Sequence, residues 1–199
     1  MTSKNFLTLI VLFTISGLGG IAIAHTGHDE LASFSVGFLH PVLGLDHMVA
    51  MVAVGVWAAQ LGSRGRPRLL AWFLAATLGG WLIGAWGIPL PGTEAGVALS
   101  SVVLGLLILH AVQPPTAFAS AIAATFAIIH GYAHGVKMPV AGDALAYVAG
   151  FMLASVLLIG MGIGMAWVGS AQAGRLRMLL PLAGASATTA GLVFLLAVF

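Results

Sequence analysis

The sequence predicts an all-α polytopic membrane protein, with six transmembrane helices after a cleavable N-terminal signal peptide. Three observations carry that expectation. The 199-residue chain is 60% hydrophobic and 6% charged, with a mean hydropathy of +1.11. A soluble domain carries about 25% charge, so this composition cannot cover a water-facing surface. Apolar runs close to the ~20 residues needed to cross a hydrocarbon core recur along the chain, and short segments rich in Pro, Gly or Arg separate them.

The N-terminus has the three parts of a secretory signal. Lys4 is the positive region, Phe6 to Ile15 the apolar core, and Ala22-Ile23-Ala24 the small-residue cleavage site. Residues 1–24 therefore read as signal peptide, 25–32 as an extracytoplasmic histidine-containing leader, and 33–199 as the six-helix transmembrane domain. An uncleaved first membrane helix is the alternative. Cleavage after Ala24 gathers an α-amine, His25, His28, Asp29 and Glu30 at the new terminus. That group is either a metal-collecting arm or a polar leader that favours cleavage.

The first helix is expected over Ser33 to Leu61. It is too long for one straight span, and Pro41 and Gly44 near its start place the true span from about Val42, with Ser33 to Leu39 at the interface. The second is expected over Leu69 to Pro89, after Pro67, and the third over Glu94 to Val112 with Thr93 as N-cap. The fourth runs Pro115 to His134, since Pro114-Pro115 suits a helix start. The fifth runs Asp143 to Val168, with Asp143 at the cap, and the sixth Met178 to Phe199.

Charge sets the expected orientation. Arg64, Arg66 and Arg68 fall in loop 62–68, and Arg175 and Arg177 in loop 169–177. Both loops lie on one side of a six-helix chain, and the positive-inside rule makes that side cytoplasmic. The mature N-terminus is then extracytoplasmic, as a cleaved signal also requires. Lys137 is the exception. Gly80 and Gly84, Gly131 and Gly135, and Gly160 and Gly164 have the small-xxx-small spacing that lets helices approach closely in lipid. Helices one and four each lead a triplet and run in opposite directions, which is compatible with an inverted repeat.

Six of the seven histidines fall in three places: the leader, His40-Pro-Val-Leu-Gly-Leu-Asp46-His47, and His130-Gly-Tyr-Ala-His134. Ionisable groups inside a bilayer are costly and tend to mark ion or substrate pathways. Helices one and four run oppositely, yet their motifs reach the same outer depth. His130 and His134 are one turn apart on one face. His40 and His47 stand ~10 Å apart in a straight helix, so two layers are expected: His40 and His134 outside, with Asp46, His47 and His130 beneath. The alternative for these five is a hydrogen-bond network that only locks helices together.

Imidazole with carboxylate suits nickel, cobalt, zinc or copper(II), whereas magnesium and calcium prefer oxygen shells. Spacing does not choose among the former. There is no cysteine, which excludes disulfides, thiolate zinc sites and iron–sulfur clusters. There is no basic stripe for nucleic acid and no nucleotide-hydrolysis motif. No separate nucleophile or acid–base pair is present, so transport is expected in place of catalysis. His110 is isolated, and packing or an interfacial role competes with that of an exit ligand. Met161 and Met165 read as gap fillers, Glu94 as a helix-start acid, and Trp57, Trp72, Trp81, Trp86 and Trp167 as interface or packing residues.

The His40-x5-Asp46-His47 segment, the His130-Gly-x-Ala-His134-Gly135 segment, the signal and six further helices together resemble the HupE/UreJ family of bacterial nickel/cobalt membrane transporters, over essentially the whole chain. The resemblance implies inward secondary transport of Ni²⁺, or Co²⁺, across the cytoplasmic membrane, with the ion as cargo and no permanent cofactor. It implies roles for His40, Asp46, His47, His130 and His134, and a histidine soon after the signal, such as His25, is also familiar. Two positions depart. Ile129 stands where the second motif usually has Phe, and Lys137 where it usually has Glu. A cation there repels a nearby divalent metal unless it points to headgroups.

The chain is therefore expected to be a permease for a divalent transition metal, nickel before cobalt. Asp46, His47 and His130 form the central site, and His40, His134, His25 and His28 the capture groups. The partners are the metal ion and the lipid bilayer, and a homo-oligomer or a metal-delivery protein is compatible with the sequence. The rivals are a membrane redox protein with histidine-ligated haem, a membrane metalloenzyme, and a metal-binding accessory or sensor protein.

Overall fold

The computed structural model describes residues 31–171 and 178–199. The signal segment, His25 and His28 of the leader, and Arg175 and Arg177 lie outside the described residues. Seven helices make up the regular structure of the remainder: α1 Phe34–Leu43, α2 Leu45–Gln60, α3 Gly62–Ala85, α4 Thr93–Leu109, α5 Thr116–Val136, α6 Ala144–Ala171 and α7 Leu179–Val198. The fold is all-helical, as the composition predicts. Helices α3, α5, α6 and α7 are each long and apolar enough to cross a membrane. The α1–α2 pair passes the same test jointly but is bent by 81°, and α4 is a shorter apolar helix of 17 residues. With the bent pair counted as one span, five segments pass, and the sixth expected span falls on the shorter α4.

The first helix is where expectation and structure differ most. Ser33 caps α1, its Oγ accepting from the Val36 N–H at 3.3 Å. The helix then stops at Gly44, whose ψ of 99° is extended, and a new helix starts at Leu45 in another direction. Pro41 has no N–H to give to the turn before it, and Gly44 has no side chain to resist leaving the helix. Residues 62–68 are not a loop: Arg64, Arg66 and Arg68 lie in the first turns of α3, with Pro67 inside the helix. Thr93 is the first residue of α4, not its cap. The cap is Gly92, at φ 74°, while the Thr93 hydroxyl donates to Leu90 O. Asp143 caps α6 as expected, its Oδ1 accepting from the Leu145 and Ala146 N–H groups at 2.9 and 3.0 Å.

Helices meet through glycines, because close backbone approach is what holds helices together where lipid is as apolar as the side chains. Gly80 and Gly84 of α3 lie against the carbonyls of Ile128 and Tyr132, and Gly131 and Gly135 of α5 lie against those of Thr77 and Trp81. Gly37 of α1 meets Tyr147 of α6, Gly150 of α6 meets Phe34, and Gly55 and Gly162 join α2 to α6 in the same reciprocal way. Gly105 and Gly184 join α4 to α7. Two of the three glycine pairs singled out by spacing thus sit at contacts. The third does not: Gly160 and Gly164 face open space, and Gly162 between them is the α6 contact residue.

At one end lie the α1–α2 break, the end of α5 and the 137–143 segment. Ala32 forms an isolated bridge with Gly142 there, its N–H donating to Ala141 O at 2.6 Å while its own carbonyl accepts from Asp143 N–H at 2.8 Å. At the other end lie the α3 arginines, and Arg66 stacks over the Trp167 ring at 5.2 Å. Trp57 Nε1 and Gln60 Nε2 donate there to the Val112 and Ile108 carbonyls.

A methyl at Gly131 would enter the backbone of Thr77 and Trp81, so Gly131→Ala is expected to destabilise by about 1–3 kcal/mol, as overpacking does. Gly160→Ala meets nothing and is expected to be neutral or to stabilise by up to about 1 kcal/mol through helix propensity. Thermal denaturation of the two variants in detergent checks both.

Candidate metal centre

The 81° bend sets the geometry of the site. It folds His40, near the end of α1, back towards His47 in the first turns of α2, so their ring centroids stand 6.3 Å apart. Gly44 lies at the turn between them, and a Cβ there would come tight against His40 O and into ordinary contact with Asp46 Oδ1 and His47 Nδ1. The ~10 Å separation of a straight helix does not occur, and the two expected layers collapse into one row. His134 of α5 lies 4.9 Å from His40 and 4.7 Å from His47, and His130 lies 5.3 Å from His47. The row runs His40, His134, His47, His130, alternating between the broken helix and α5. His40 is half-buried, whereas His134, His47 and His130 are 0%, 4% and 2% exposed.

Hydrogen bonds fix which ring atoms are free. His47 Nδ1 lies 2.9 Å from Asp46 Oδ1. A carboxylate accepts, so Nδ1 carries the proton and Nε2 keeps its lone pair. His130 Nδ1 lies 2.9 Å from the Phe126 carbonyl, with the same consequence. His47 Nε2, His130 Nε2 and both nitrogens of His134 are buried without a hydrogen-bond partner. Each such group costs about 1–3 kcal/mol, and buried polar groups without partners call for a reason such as an ion or a water. Four such nitrogens lie on three adjacent rings.

The donors are gathered but not converged. Among the described residues, no three histidine or acidic side chains have atoms arranged around one ion position. The rings pack edge to face, at 77–83° to one another, so they contact each other and do not point at a common centre. Asp46, its side chain 39% exposed, holds the tautomer of His47, the usual task of a carboxylate behind a metal-binding imidazole. An imidazole-rich group with one carboxylate nearby and no thiolate is chemically suited to borderline transition metals.

The bilayer-depth reasoning found His40, Asp46, His47, His130 and His134, and the structure brings all five together. It missed the wall behind them. Phe151 of α6 stacks on the His134 ring at 4.0 Å and 26°, and the Tyr147 hydroxyl donates to His134 O at 3.4 Å. Counting inward from the Asp143 cap would have put these two aromatics, one turn apart, at the depth of the histidines. Lys137 turns towards α4, its Nζ lying 3.7 Å from Glu94 Oε1, so Glu94 is more than a helix-start acid. His110 is exposed at the far end of α4. Met161 is exposed on α6 about three turns beyond Phe151. Trp57 and Trp81 are buried, whereas Trp72, Trp86 and Trp167 are exposed.

Two comparisons with known proteins find relatives of this chain. A model of the family described as HupE / UreJ protein matches residues 12–194. The curated Protein HupE of Rhizobium leguminosarum bv. viciae is similar to this chain, 38% identical over 193 residues that cover 97% of each. No solved structure matches the chain.

Asp46→Asn can turn an amide N–H towards His47 Nδ1 and so releases the tautomer. Transition-metal affinity is expected to fall 10- to 100-fold, as it does when such an outer partner is lost. Isothermal titration of the purified protein with Ni²⁺ or Co²⁺ measures it.

Proposed function

The chain belongs to the HupE / UreJ family, and from that premise we propose that it is a permease importing a divalent transition metal, nickel first and cobalt second, across the bacterial cytoplasmic membrane. The observation that carries the reading is the row of four imidazoles with four unpartnered buried ring nitrogens beside Asp46. The site end faces outward and the α3 arginines face the cytoplasm, in keeping with the positive-inside rule. His25 and His28 then stand on the outer side as collecting groups. No permanent cofactor takes part, and the ion is cargo.

The edge-to-face packing of the imidazoles supports transport over storage. A carried ion must be bound firmly enough to be captured and loosely enough to leave. Imidazoles packed against one another have to turn to meet an ion, and that cost is subtracted from its affinity. The gradient from half-buried His40 to fully buried His134 and His130 suits an ion that sheds water stepwise. The membrane potential favours inward movement by ~2.3 kcal/mol per charge per 100 mV.

Purified protein in proteoliposomes is expected to take up radiolabelled Ni²⁺, with Co²⁺ competing better than Zn²⁺ or Cu²⁺ and Mg²⁺ not competing. His47→Ala is expected to reduce uptake to the level of empty vesicles. Binding without uptake by the wild type would instead support the accessory or sensor reading, and a haem absorption band in the purified protein would support the redox one. Lys137→Glu replaces the cation beside the mouth by an acid next to Glu94, and is expected to lower the KM for metal uptake. An unchanged KM and selectivity would mean that Glu94 already cancels the effect of Lys137.

A further inference from the structure

Helix α6 contributes no metal donor, yet it packs against both arms of the broken helix and against His134. Gly150 lets α6 sit on the backbone of Phe34 and Phe38, and Gly37 lets α1 sit on Tyr147. Farther along, Gly162 and Gly55 bring α6 onto α2. Phe151 is held between these contacts and has no exposed surface. Its ring covers one face of the His134 imidazole at 4.0 Å, and Tyr147, 1% exposed, reaches the carbonyl of the same histidine.

His134 is an inner member of the row of four, within 5 Å of both His40 and His47. A ring stacked on one face cannot turn freely about its own axis, because turning would drive its edge into the stacking partner. The side of His134 that Phe151 covers is also closed to water and to any further ligand. The geometry offered to an ion therefore depends on a residue that does not touch the ion.

We propose that Phe151, supported by Tyr147, is the positioning and selectivity residue of this site: its ring sets the angle of His134 and keeps extra oxygen ligands off that side, favouring metals that demand a defined nitrogen geometry. The inference rests on the transport reading above. Nickel and cobalt have geometric preferences, and zinc has none arising from its d-electrons. Loosening His134 thus penalises nickel and cobalt more than zinc. Loss of general packing would instead penalise every ion alike.

The test uses the full-length protein, wild type, Phe151→Leu and Phe151→Tyr. Uptake of Ni²⁺, Co²⁺ and Zn²⁺ is measured in proteoliposomes, and the visible absorption of bound Co²⁺ in detergent. Phe151→Leu keeps an apolar side chain and removes the stacking ring. It is expected to raise the KM for Ni²⁺ by about two- to tenfold, the range of one aromatic contact, to raise that for Zn²⁺ less, and to shift the Co²⁺ bands. Phe151→Tyr is expected to restore most of the selectivity. Unchanged KM values and an unchanged cobalt spectrum in Phe151→Leu overturn the proposal, as does a fall in maximal rate shared equally by all three ions. Should Phe151→Leu fail to fold, Tyr147→Phe removes only the hydroxyl near His134 O. A shifted cobalt spectrum in that variant supports the proposal, and an unshifted one overturns it. A wild type that neither binds nor carries metal refutes the transport reading and, with it, this inference.

Discussion

The site depends on one interruption of one helix. Breaking a helix in lipid frees backbone groups that no water can satisfy, so a break survives only where those groups are used again. Here the Gly44 N–H donates to His40 O at 2.9 Å, and the Gly44 carbonyl accepts from Met48 N–H at 2.8 Å. The two helices thus share their end residue, and both backbone groups of Gly44 are used. The first-turn position of Asp46 places a carboxylate at the positive end of α2. α6 then braces both arms by backbone contacts that a side chain in place of glycine would forbid. With an unbroken helix, His40 and His47 would stand ~10 Å apart and the row would lose its outer member.

The second motif is half chemistry and half packing. His130 and His134 face the broken helix, and the glycine after each of them, Gly131 and Gly135, presses α5 onto α3 about 100° further round the helix. Residues side by side in the sequence therefore serve different neighbours. The α3 contact fixes α5 against sliding, and this fixes the height of the imidazoles against His40 and His47. A register shift of one turn, ~5.4 Å, would separate every ring pair in the row. The small residues are thus part of the metal geometry even though none can ligate.

Much of this was legible in the sequence because lipid imposes a simple code. Apolar length gave the helices, and the cost of ionisable groups in lipid singled out the five residues that the structure gathers. Pro41 and Gly44 marked the weak point of the first helix, but a sequence gives no bend angle, and the layered arrangement came from treating the helix as straight. Arg64, Arg66 and Arg68 read as a loop because charge and Pro67 usually end a helix, whereas tertiary packing lets α3 continue to Gly62. Glycine spacing alone could not tell Gly131 from Gly160, since both lie in small-xxx-small patterns and only one has a neighbour. Phe151 was invisible for a similar reason: one aromatic in a long apolar run carries no mark of what it stacks against.

With the bent pair counted as one span, the main packing pairs obey the exchange that relates the two halves of an inverted repeat. The pairing of α3 with α5 becomes that of α6 with α2, and the pairing of α4 with α7 maps onto itself. The chemistry does not obey it. The exchange would carry His40, Asp46 and His47 to the start of α5, at the arginine end, yet His130 and His134 lie at the finish of α5 beside them. Among the described residues the acidic side chains, Asp46, Glu94 and Asp143, all belong to the site end, and the arginines Arg64, Arg66 and Arg68 to the other. The only described histidine at that other end is exposed His110. A scaffold whose main helix pairs obey the exchange thus holds the imidazole row and the carboxylates at one end, with Lys137 paired to Glu94 there, and the arginines at the other. Such a field draws cations towards the end that holds the carboxylates and imidazoles, so among the described residues it is the side chains, and not the packing of the helices, that distinguish the two ends.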